Sequence, residues 1–296
     1  MRRVVFIAVL LFVVVSFTGS VFAVNNGGYA NPKALVSPEQ LEKMMADNGV
    51  KIIDARTSME YLFGHITGSV NIDVFSMDIE KNGVPFVFPD AKKFAEVMGT
   101  NGITSDDFVV IYSDTGTPHA ARIAWGFMQF GHFKVALLNG YWNAIKNGTS
   151  YLAPSITPST FAVKDGGKLI ASIDDVKAAL GKAEFAILDA RSPGEYTGKV
   201  VIPGSGKEAG RIPGAINIYW SENLDENELV KEAAELKKMY EAKGVTPDKT
   251  VIVYCFIGYR AAFSAYILKE VLGYPNVILY DGSWLEWSNS DAPVEK

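Results

Sequence analysis

Cysteine is almost absent from this sequence, because Cys255 is the only one among 296 residues. A single thiol excludes an intramolecular disulfide and a metal site built from several cysteines. The three histidines, His65, His119 and His132, are too scattered along the chain to suggest a metal centre, so we expect neither a metal nor another cofactor. Lys/Arg-rich stretches are also lacking and the net charge is −5, which argues against a nucleic-acid partner.

The sequence also lacks a hydrophobic run long enough for a comfortable membrane span. An apolar run at residues 4–15 follows Arg2 and Arg3 and precedes small residues that end at Ala23. This pattern is typical of a secretory signal peptide. We therefore expect cleavage after residues 1–23, export to the periplasm or the extracellular space, and no stable membrane insertion afterwards. An uncleaved N-terminal membrane anchor is the alternative.

The single thiol lies in a stretch, residues 250–267, that reads TVIVYCFIGYRAAFSAYI. Its β-branched and aromatic residues 251–254 predict a buried strand, and the Ala-rich pattern from Arg260 onward predicts a helix. Cys255 would then lie at the carboxyl end of a strand and above a helix N-terminus, where open α/β sheets bind ligands. Backbone N–H groups and the helix dipole favour an anionic sulfur there. The pattern favours a nucleophile, and a buried structural cysteine is the alternative.

The second half of the chain repeats the first. Four blocks recur in the same order: DARTSMEY (54–61) as DARSPGEY (189–196), GHITGSVNI (64–72) as GRIPGAINI (210–218), GITSDDFVVIY (102–112) as GVTPDKTVIVY (244–254), and KVALLNGYWNAI (134–145) as NVILYDGSWLEW (276–287). Such a long period indicates a duplicated domain and not a solenoid repeat. Strands alternate with helical patterns in each copy, which predicts an α/β fold with two domains, each a mainly parallel sheet flanked by helices.

The periodicity also suggests where the copies begin and end. We assign residues 34–149 to the first domain, residues 150–168 to a linker without clear periodicity, and residues 169–296 to the second domain. The second copy carries an insertion at residues 198–209. It also has a charged segment near residues 226–243 that predicts a helix with a solvated face.

The two copies differ at the thiol. Aligning the strands places Cys255 opposite Ser113 and Gly258 opposite Gly116, and we expect the first loop to be longer by a residue or two. A purely structural cysteine gives no reason for this asymmetry. The difference therefore predicts an inactive first copy and an active second copy.

Together, these motifs and their duplication resemble those of tandem-domain rhodaneses, the thiosulfate sulfurtransferases. The resemblance covers nearly everything from Leu35 to Ala292. It implies a sulfurtransferase whose Cys255 accepts a sulfane sulfur as a persulfide from thiosulfate, polysulfide or a related donor. The implied partners are thus a small sulfur-containing anion or persulfide donor and an acceptor such as cyanide or a thiol.

The loop after the nucleophile is the predicted substrate-binding site. Its residues are Phe256, Ile257, Gly258, Tyr259 and Arg260. Arg260 can supply a cation that stabilises the thiolate, and the loop amides can cradle the terminal sulfur. Phosphatases that share this general fold use a Cys–X5–Arg loop, one residue longer, so phosphatase or arsenate reductase activity is a weaker alternative.

Two loop residues depart from the family pattern. Thiosulfate enzymes of the family commonly carry a basic residue directly after the cysteine, and mercaptopyruvate enzymes carry small ones, whereas this chain has Phe256 and Ile257. We therefore expect a donor less charged than thiosulfate, such as a polysulfide or an organic persulfide. A non-enzymatic sulfur carrier or binding protein is the second hypothesis.

Three further residues are candidates for supporting the site: Asp189, Arg191 and Glu195. Each has a counterpart in the copy without a thiol, namely Asp54, Arg56 and Glu60. This recurrence favours a structural ion pair or a loop clamp over a catalytic role.

Overall fold

The computed structural model describes residues 27–114, 117–146, 148–204 and 208–296. The predicted signal peptide, residues 1–23, lies outside these ranges. Across the described residues, none of the helices is both long and apolar enough to cross a membrane.

The first half of the chain is a mixture of short strands and helices. Its strands are β1 (Leu35–Val36), β2 (Lys51–Asp54), β3 (His65–Ile66), β4 (Val70–Asn71), β5 (Ile79–Lys81), β6 (Val84–Val87), β7 (Val109–Tyr112), β8 (Val135–Leu138) and β9 (Thr149–Ser150). Its helices are α1 (Pro38–Ala46), α2 (Ser58–Leu62), α3 (Val74–Met77), α4 (Ala91–Thr100) and α5 (Thr117–Gln129).

The second half has a similar order of elements. Its strands are β10 (Ile170–Ala171), β11 (Phe185–Asp189), β12 (Ile216–Asn217), β13 (Thr250–Tyr254) and β14 (Val277–Tyr280). Its helices are α6 (Ile173–Ala179), α7 (Pro193–Tyr196), α8 (Ala233–Ala242), α9 (Tyr259–Tyr266) and α10 (Ser283–Asn289). A π-helical turn at Ile267–Val271 extends α9.

Each half forms one parallel sheet with the same arrangement of strands. The first sheet has the order β1-β8-β7-β2-β4 and the second the order β10-β14-β13-β11-β12. All neighbouring strands within these two sheets run parallel. The predicted α/β fold is therefore confirmed. The central strands β7 and β13 are buried, as expected for β-branched runs covered on both faces.

Local sequence signals explain several boundaries. Ser37 caps α1 through a capping box with Gln40, and Pro38 occupies the first turn of the helix. The helix predicted near residues 226–243 begins only at Ala233. The preceding segment is instead a turn closed by a bridge between Leu224 and Val230, so that part of the prediction was wrong.

The two halves are docked through a buried interface. Helix α5 of the first half packs against α9 of the second, and one hydrophobic core contains buried residues from both halves. Polar contacts reinforce it: the Tyr266 hydroxyl donates to the Ala34 carbonyl at 2.8 Å, and Trp125 Nε1 donates to the Leu169 carbonyl at 3.1 Å. The strand-to-helix turn that carries the thiol therefore lies next to the other half of the molecule.

Candidate active site

Cys255 follows β13 directly and precedes α9, as the sequence predicted. Cys255 is 1% exposed. The start of α10 holds the loop in place, because Trp284 N donates to the Cys255 carbonyl at 3.0 Å and Cys255 N donates to Ser283 Oγ at 3.2 Å. The thiol is thus fixed at the carboxyl end of the sheet, where helix N–H groups remain available to an anion.

Gly258 has a left-handed backbone conformation, with φ of 87°. A Cβ at this position would lie 2.5 Å from Nη1 of Arg122 and 2.9 Å from Oδ1 of Asp281. Only glycine fits both the backbone angle and the space. The sequence indicated the first requirement, whereas the second comes from a side chain of the first half.

Arg260 lies at the start of α9 and forms a bidentate pair with Glu195. Nη1 and Nη2 donate to the two carboxylate oxygens at 2.8 and 2.9 Å. Burial disfavours the guanidinium charge, but the hydrogen bonds to Glu195 and the negative charges of Cys255 and Glu195 raise the pKa of Arg260. Burial would likewise raise the pKa of Glu195, but Arg260 outweighs it and holds that pKa below its usual value. The cation beside the thiol is therefore largely neutralised.

The remaining loop residues face different surroundings. Phe256 is half-buried and lines a small pocket together with Glu195 and Trp284. Ile257 packs against the main hydrophobic core. Tyr259 is 5% exposed, so its ring is covered by the protein.

The first half supplies the partners that cover Tyr259. Its hydroxyl donates to Asp78, and its ring stacks on Phe75 with centroids 5.2 Å apart. Tyr259 therefore bridges the halves of the molecule.

Asp189 and Arg191 form a buried ion pair of 2.6 Å at the end of β11. The Tyr254 hydroxyl donates to Asp189, and the Arg191 guanidinium lies over the Trp284 ring at 4.4 Å. Arg191 also donates to the carbonyl of Gly210 at 2.7 Å, which ties two loops together.

The first half contains the same cluster. Asp54 and Arg56 are 2.6 Å apart, Tyr112 donates to Asp54, and Arg56 lies over the Trp142 ring at 4.3 Å. Because the cluster occurs with and without a thiol, its geometry fits a loop clamp.

Glu195 has a contact that Glu60 lacks among the described residues. Both carboxylates accept from the cap of their own short helix, Ser192 for one and Thr57 for the other. Glu195 alone adds the bidentate pair with Arg260. Glu195 and Glu60 therefore match in sequence but differ in their contacts.

The loop that corresponds to the thiol loop in the first half is not longer, contrary to expectation. Strand β7 ends at Tyr112 and α5 begins at Thr117, whereas β13 ends at Tyr254 and α9 begins at Tyr259. Four residues separate strand and helix in both halves. Equal lengths place Pro118 opposite Arg260, so the first copy lacks the arginine as well as the thiol.

Sequence reasoning missed a buried charge cluster behind the loop. Arg122 on α5 is fully buried and pairs with Asp281 and, at 3.2 Å, with Asp78. Burial opposes its charge, but the two carboxylates raise the pKa of Arg122. A lone arginine in the apolar run of residues 120–130 was the available signal, since buried arginines are nearly always paired.

It also missed the hairpin of β5 and β6, which the structure shows as an antiparallel pair. The available signal was the dipeptide Asn82-Gly83, both of whose residues have positive φ. The insertion at residues 198–209 was predicted from the sequence. Its Val200, Val201 and Ile202 line the small pocket beside Phe256.

No group of three or more acidic, histidine or cysteine residues that could hold a metal ion occurs within the described residues.

Comparison with known proteins agrees with this architecture. The model of the rhodanese-like domain matches twice, at residues 37–148 and 172–290. A thiosulfate sulfurtransferase of Corynebacterium glutamicum is 36% identical over 273 residues, covering 88% of this chain and 89% of that protein. A sulfur carrier protein, TtuD, of Thermus thermophilus is also 36% identical, over 277 residues, covering 88% of this chain and 96% of that protein.

A more distant structure shares the fold. The anaerobic ergothioneine biosynthesis enzyme of Chlorobium limicola, solved with trimethyl histidine, superposes with a TM-score of 0.81 and 23% identity, covering 90% of this chain and 71% of that one.

The chain belongs to the rhodanese family and is a sulfurtransferase of the rhodanese type.

Proposed function

We propose that this protein transfers a sulfane sulfur through a persulfide on Cys255. The observation that carries the proposal is the difference between the two copies: the thiol and an arginine at the helix start, Arg260, occur together only in the second. Phe256, Ile257, Gly258 and Tyr259 complete the proposed substrate-binding loop. The likeness to proteins named as thiosulfate sulfurtransferases supports the reaction class.

The proposed reaction has two displacement steps. The thiolate of Cys255 attacks the outer sulfur of the donor, the donor's bond to that sulfur breaks, and the remainder leaves with the electron pair. An acceptor nucleophile, cyanide or a thiolate, then attacks the outer sulfur of the persulfide, and Cys255 leaves as a thiolate. No oxidant or reductant beyond donor and acceptor is needed.

The charges around the loop favour a donor less charged than thiosulfate. Arg260 is paired with Glu195 and Arg191 with Asp189, so neither of these cations offers an uncompensated charge to a dianion. Phe256 adds an apolar wall. A singly charged polysulfide or an organic persulfide fits these surroundings better than dianionic thiosulfate does.

In this proposal Asp189 and Arg191 act as a clamp, and Glu195 compensates the positive charge of Arg260. We also propose the domain division given above, with residues 34–149 as the inactive copy and residues 169–296 as the active one. Export rests on the sequence of residues 1–23 alone.

Mass spectrometry of the intact protein tests the persulfide. The protein is incubated with polysulfide or thiosulfate, and we expect a gain of one sulfur that cyanide or a thiol removes. Replacing Cys255 with serine should abolish the gain. A wild-type protein that never gains sulfur would contradict the proposal.

The second candidate function is a sulfur carrier that loads but does not turn over. It draws on the similarity to the sulfur carrier protein of Thermus thermophilus. An adduct on Cys255 that forms but is not discharged to small acceptors would favour this function.

A further inference from the structure

A groove of about 860 Å³ lies between the β5–β6 hairpin of the first half and the second half of the molecule. The hairpin contributes Val84, Pro85 and Phe86, and the second half contributes Phe256 and Leu285. Its lining combines apolar side chains with polar ones, and a groove of this kind between two domains is a common setting for a small-molecule site.

The groove adjoins the loop that carries the thiol. Phe256 lines both this groove and the small pocket that contains Glu195, so the two cavities share this residue. Leu285 N donates to the Phe256 carbonyl at 3.0 Å, just as Trp284 N donates to the carbonyl of Cys255. The floor of the groove and the nucleophile are therefore held by the same turn of α10.

The hairpin side of the groove is held in a fixed conformation. Phe86 has a φ of 61°, which is unusual for a bulky residue, and the residue is 40% exposed. Its carbonyl accepts from Arg122 Nη2 at 2.8 Å, and Phe88 N donates to Asp281 at 2.7 Å. A strained backbone that directs an aromatic ring toward a groove is the kind of feature found at binding sites.

The charges of the groove do not suit an inorganic dianion. Among its described lining residues the charged ones are Lys177 and Glu286, which have opposite signs. Lys177 is also paired with Asp291 at 3.1 Å. Two phenylalanine rings, Phe86 and Phe256, are instead suited to a flat apolar group.

We propose that this groove binds the organic body of a thiol acceptor that carries an aromatic or similarly flat apolar group. The inference rests on the proposed function, because it assigns a place to the second substrate. The acceptor's thiolate attacks the outer sulfur of the Cys255 persulfide, the S–S bond breaks, Cys255 leaves as a thiolate, and the acceptor departs as a persulfide. Phe86, from the copy without a thiol, is the residue that selects the acceptor.

The test isolates the second step. Protein preloaded with sulfur on Cys255 is mixed with phenylmethanethiol or with cyanide, and the rate constant for loss of the extra sulfur is measured by mass spectrometry. The informative quantity is the ratio of the two rate constants, since a general defect changes both.

Phe86→Gly removes the ring and places glycine where φ is positive, so this variant should fold. We expect the ratio of phenylmethanethiol to cyanide rate constants to fall about fivefold or more, as one aromatic contact would give. Phe86→Leu should give an intermediate ratio. Phe133→Ala is the control, because Phe133 is 51% exposed and is not among the residues that line the groove.

A ratio unchanged in Phe86→Gly, with wild-type protein that loads and discharges normally, would overturn the groove as acceptor site and leave the proposed function intact. A wild-type protein that cannot be loaded would overturn the proposed function, and the acceptor site with it.

Discussion

The two halves of the chain build the same strand-to-helix turn but equip it differently. Both have the Asp–Arg clamp against a tyrosine and a tryptophan, and both have four residues between strand and helix. Only the second has Cys255 and the pair of Arg260 with Glu195. The features that recur belong to the shared fold, and the features that differ are those to which we assign the proposed sulfur transfer.

The first half also has a residue that the second half lacks. Arg122 on α5 stands opposite Ser264 on α9 when the helices are aligned by their starts. Arg122 reaches across the interface to Asp281 and lies under Gly258. The copy without a thiol therefore contributes the buried cation that supports the loop of the other copy.

Transferring the thiol from one half to the other is the strongest test of this comparison. In the double variant Cys255→Ser with Ser113→Cys, we expect sulfur transfer to fall by roughly 10⁴-fold or more, as for loss of a covalent nucleophile. A thiol at position 113 has Pro118 opposite the place of Arg260 and so lacks the helix-start cation. Steady-state turnover with cyanide measures it. Recovery of more than a few per cent of wild-type turnover would mean that the arginine and its surroundings are dispensable.

The interface cation should have the next largest effect. Arg122→Ala leaves the buried carboxylates of Asp78 and Asp281 without their partner, which should lower the free energy of unfolding by about 3–5 kcal/mol. Urea unfolding followed by tryptophan fluorescence measures this. Ser264→Ala at the matching position of α9 is the control and should cost about 1 kcal/mol or less. Equal losses in the two variants would show that Arg122 has no special role.

Much of the fold was predictable from sequence because strands in a parallel sheet are continuous apolar runs. Residues 251–254 predicted the central strand β13, and the duplication predicted its counterpart β7 and a second sheet like the first. The prediction of a helix near residues 226–243 was wrong for its first part. Glu and Lys residues favour a helix over the whole segment, whereas a bridge between Leu224 and Val230 closes a turn before the helix begins.

The site was only partly predictable, for a physical reason. Position on a strand end follows from local pattern, so Cys255 and Arg260 could be placed. Contacts between residues that are far apart in the sequence do not follow from local pattern. The pairing of Glu195 with Arg260 and that of Arg122 with Asp281 therefore required the structure. The matching sequences of Glu195 and Glu60 even suggested the same role for both.

Glu195 offers a finer test of the difference between the copies. Glu195→Gln removes the anion that neutralises Arg260, so the guanidinium charge becomes available to a dianion. We expect the KM for thiosulfate to fall about threefold to tenfold, corresponding to roughly 1 kcal/mol. Glu60→Gln at the matching position should leave that KM unchanged. A KM that rises in the Glu195 variant would indicate that the carboxylate mainly orients the arginine.

The smallest effect concerns pH. Because Arg260 holds the pKa of Glu195 below its usual value despite burial, the ionised carboxylate stabilises the fold above about pH 4.5. This stability is lost as pH falls through the lowered pKa. Glu195→Gln should therefore cost about 1 kcal/mol at pH 7, and the difference from wild type should shrink toward pH 3.5.

Glu286, in the same half of the chain, should affect the pH dependence of stability in the opposite direction. Burial raises the pKa of Glu286, so its contribution to stability is present at low pH and is lost as pH rises through the raised value. Glu286→Gln should therefore not destabilise the protein at pH 7. Urea unfolding of the two variants and wild type at pH 7 and pH 3.5 gives all the differences needed. If both variants lost the same stability at pH 7, the carboxylate paired with Arg260 would be energetically no different from the half-buried Glu286, which has no arginine partner among the described residues.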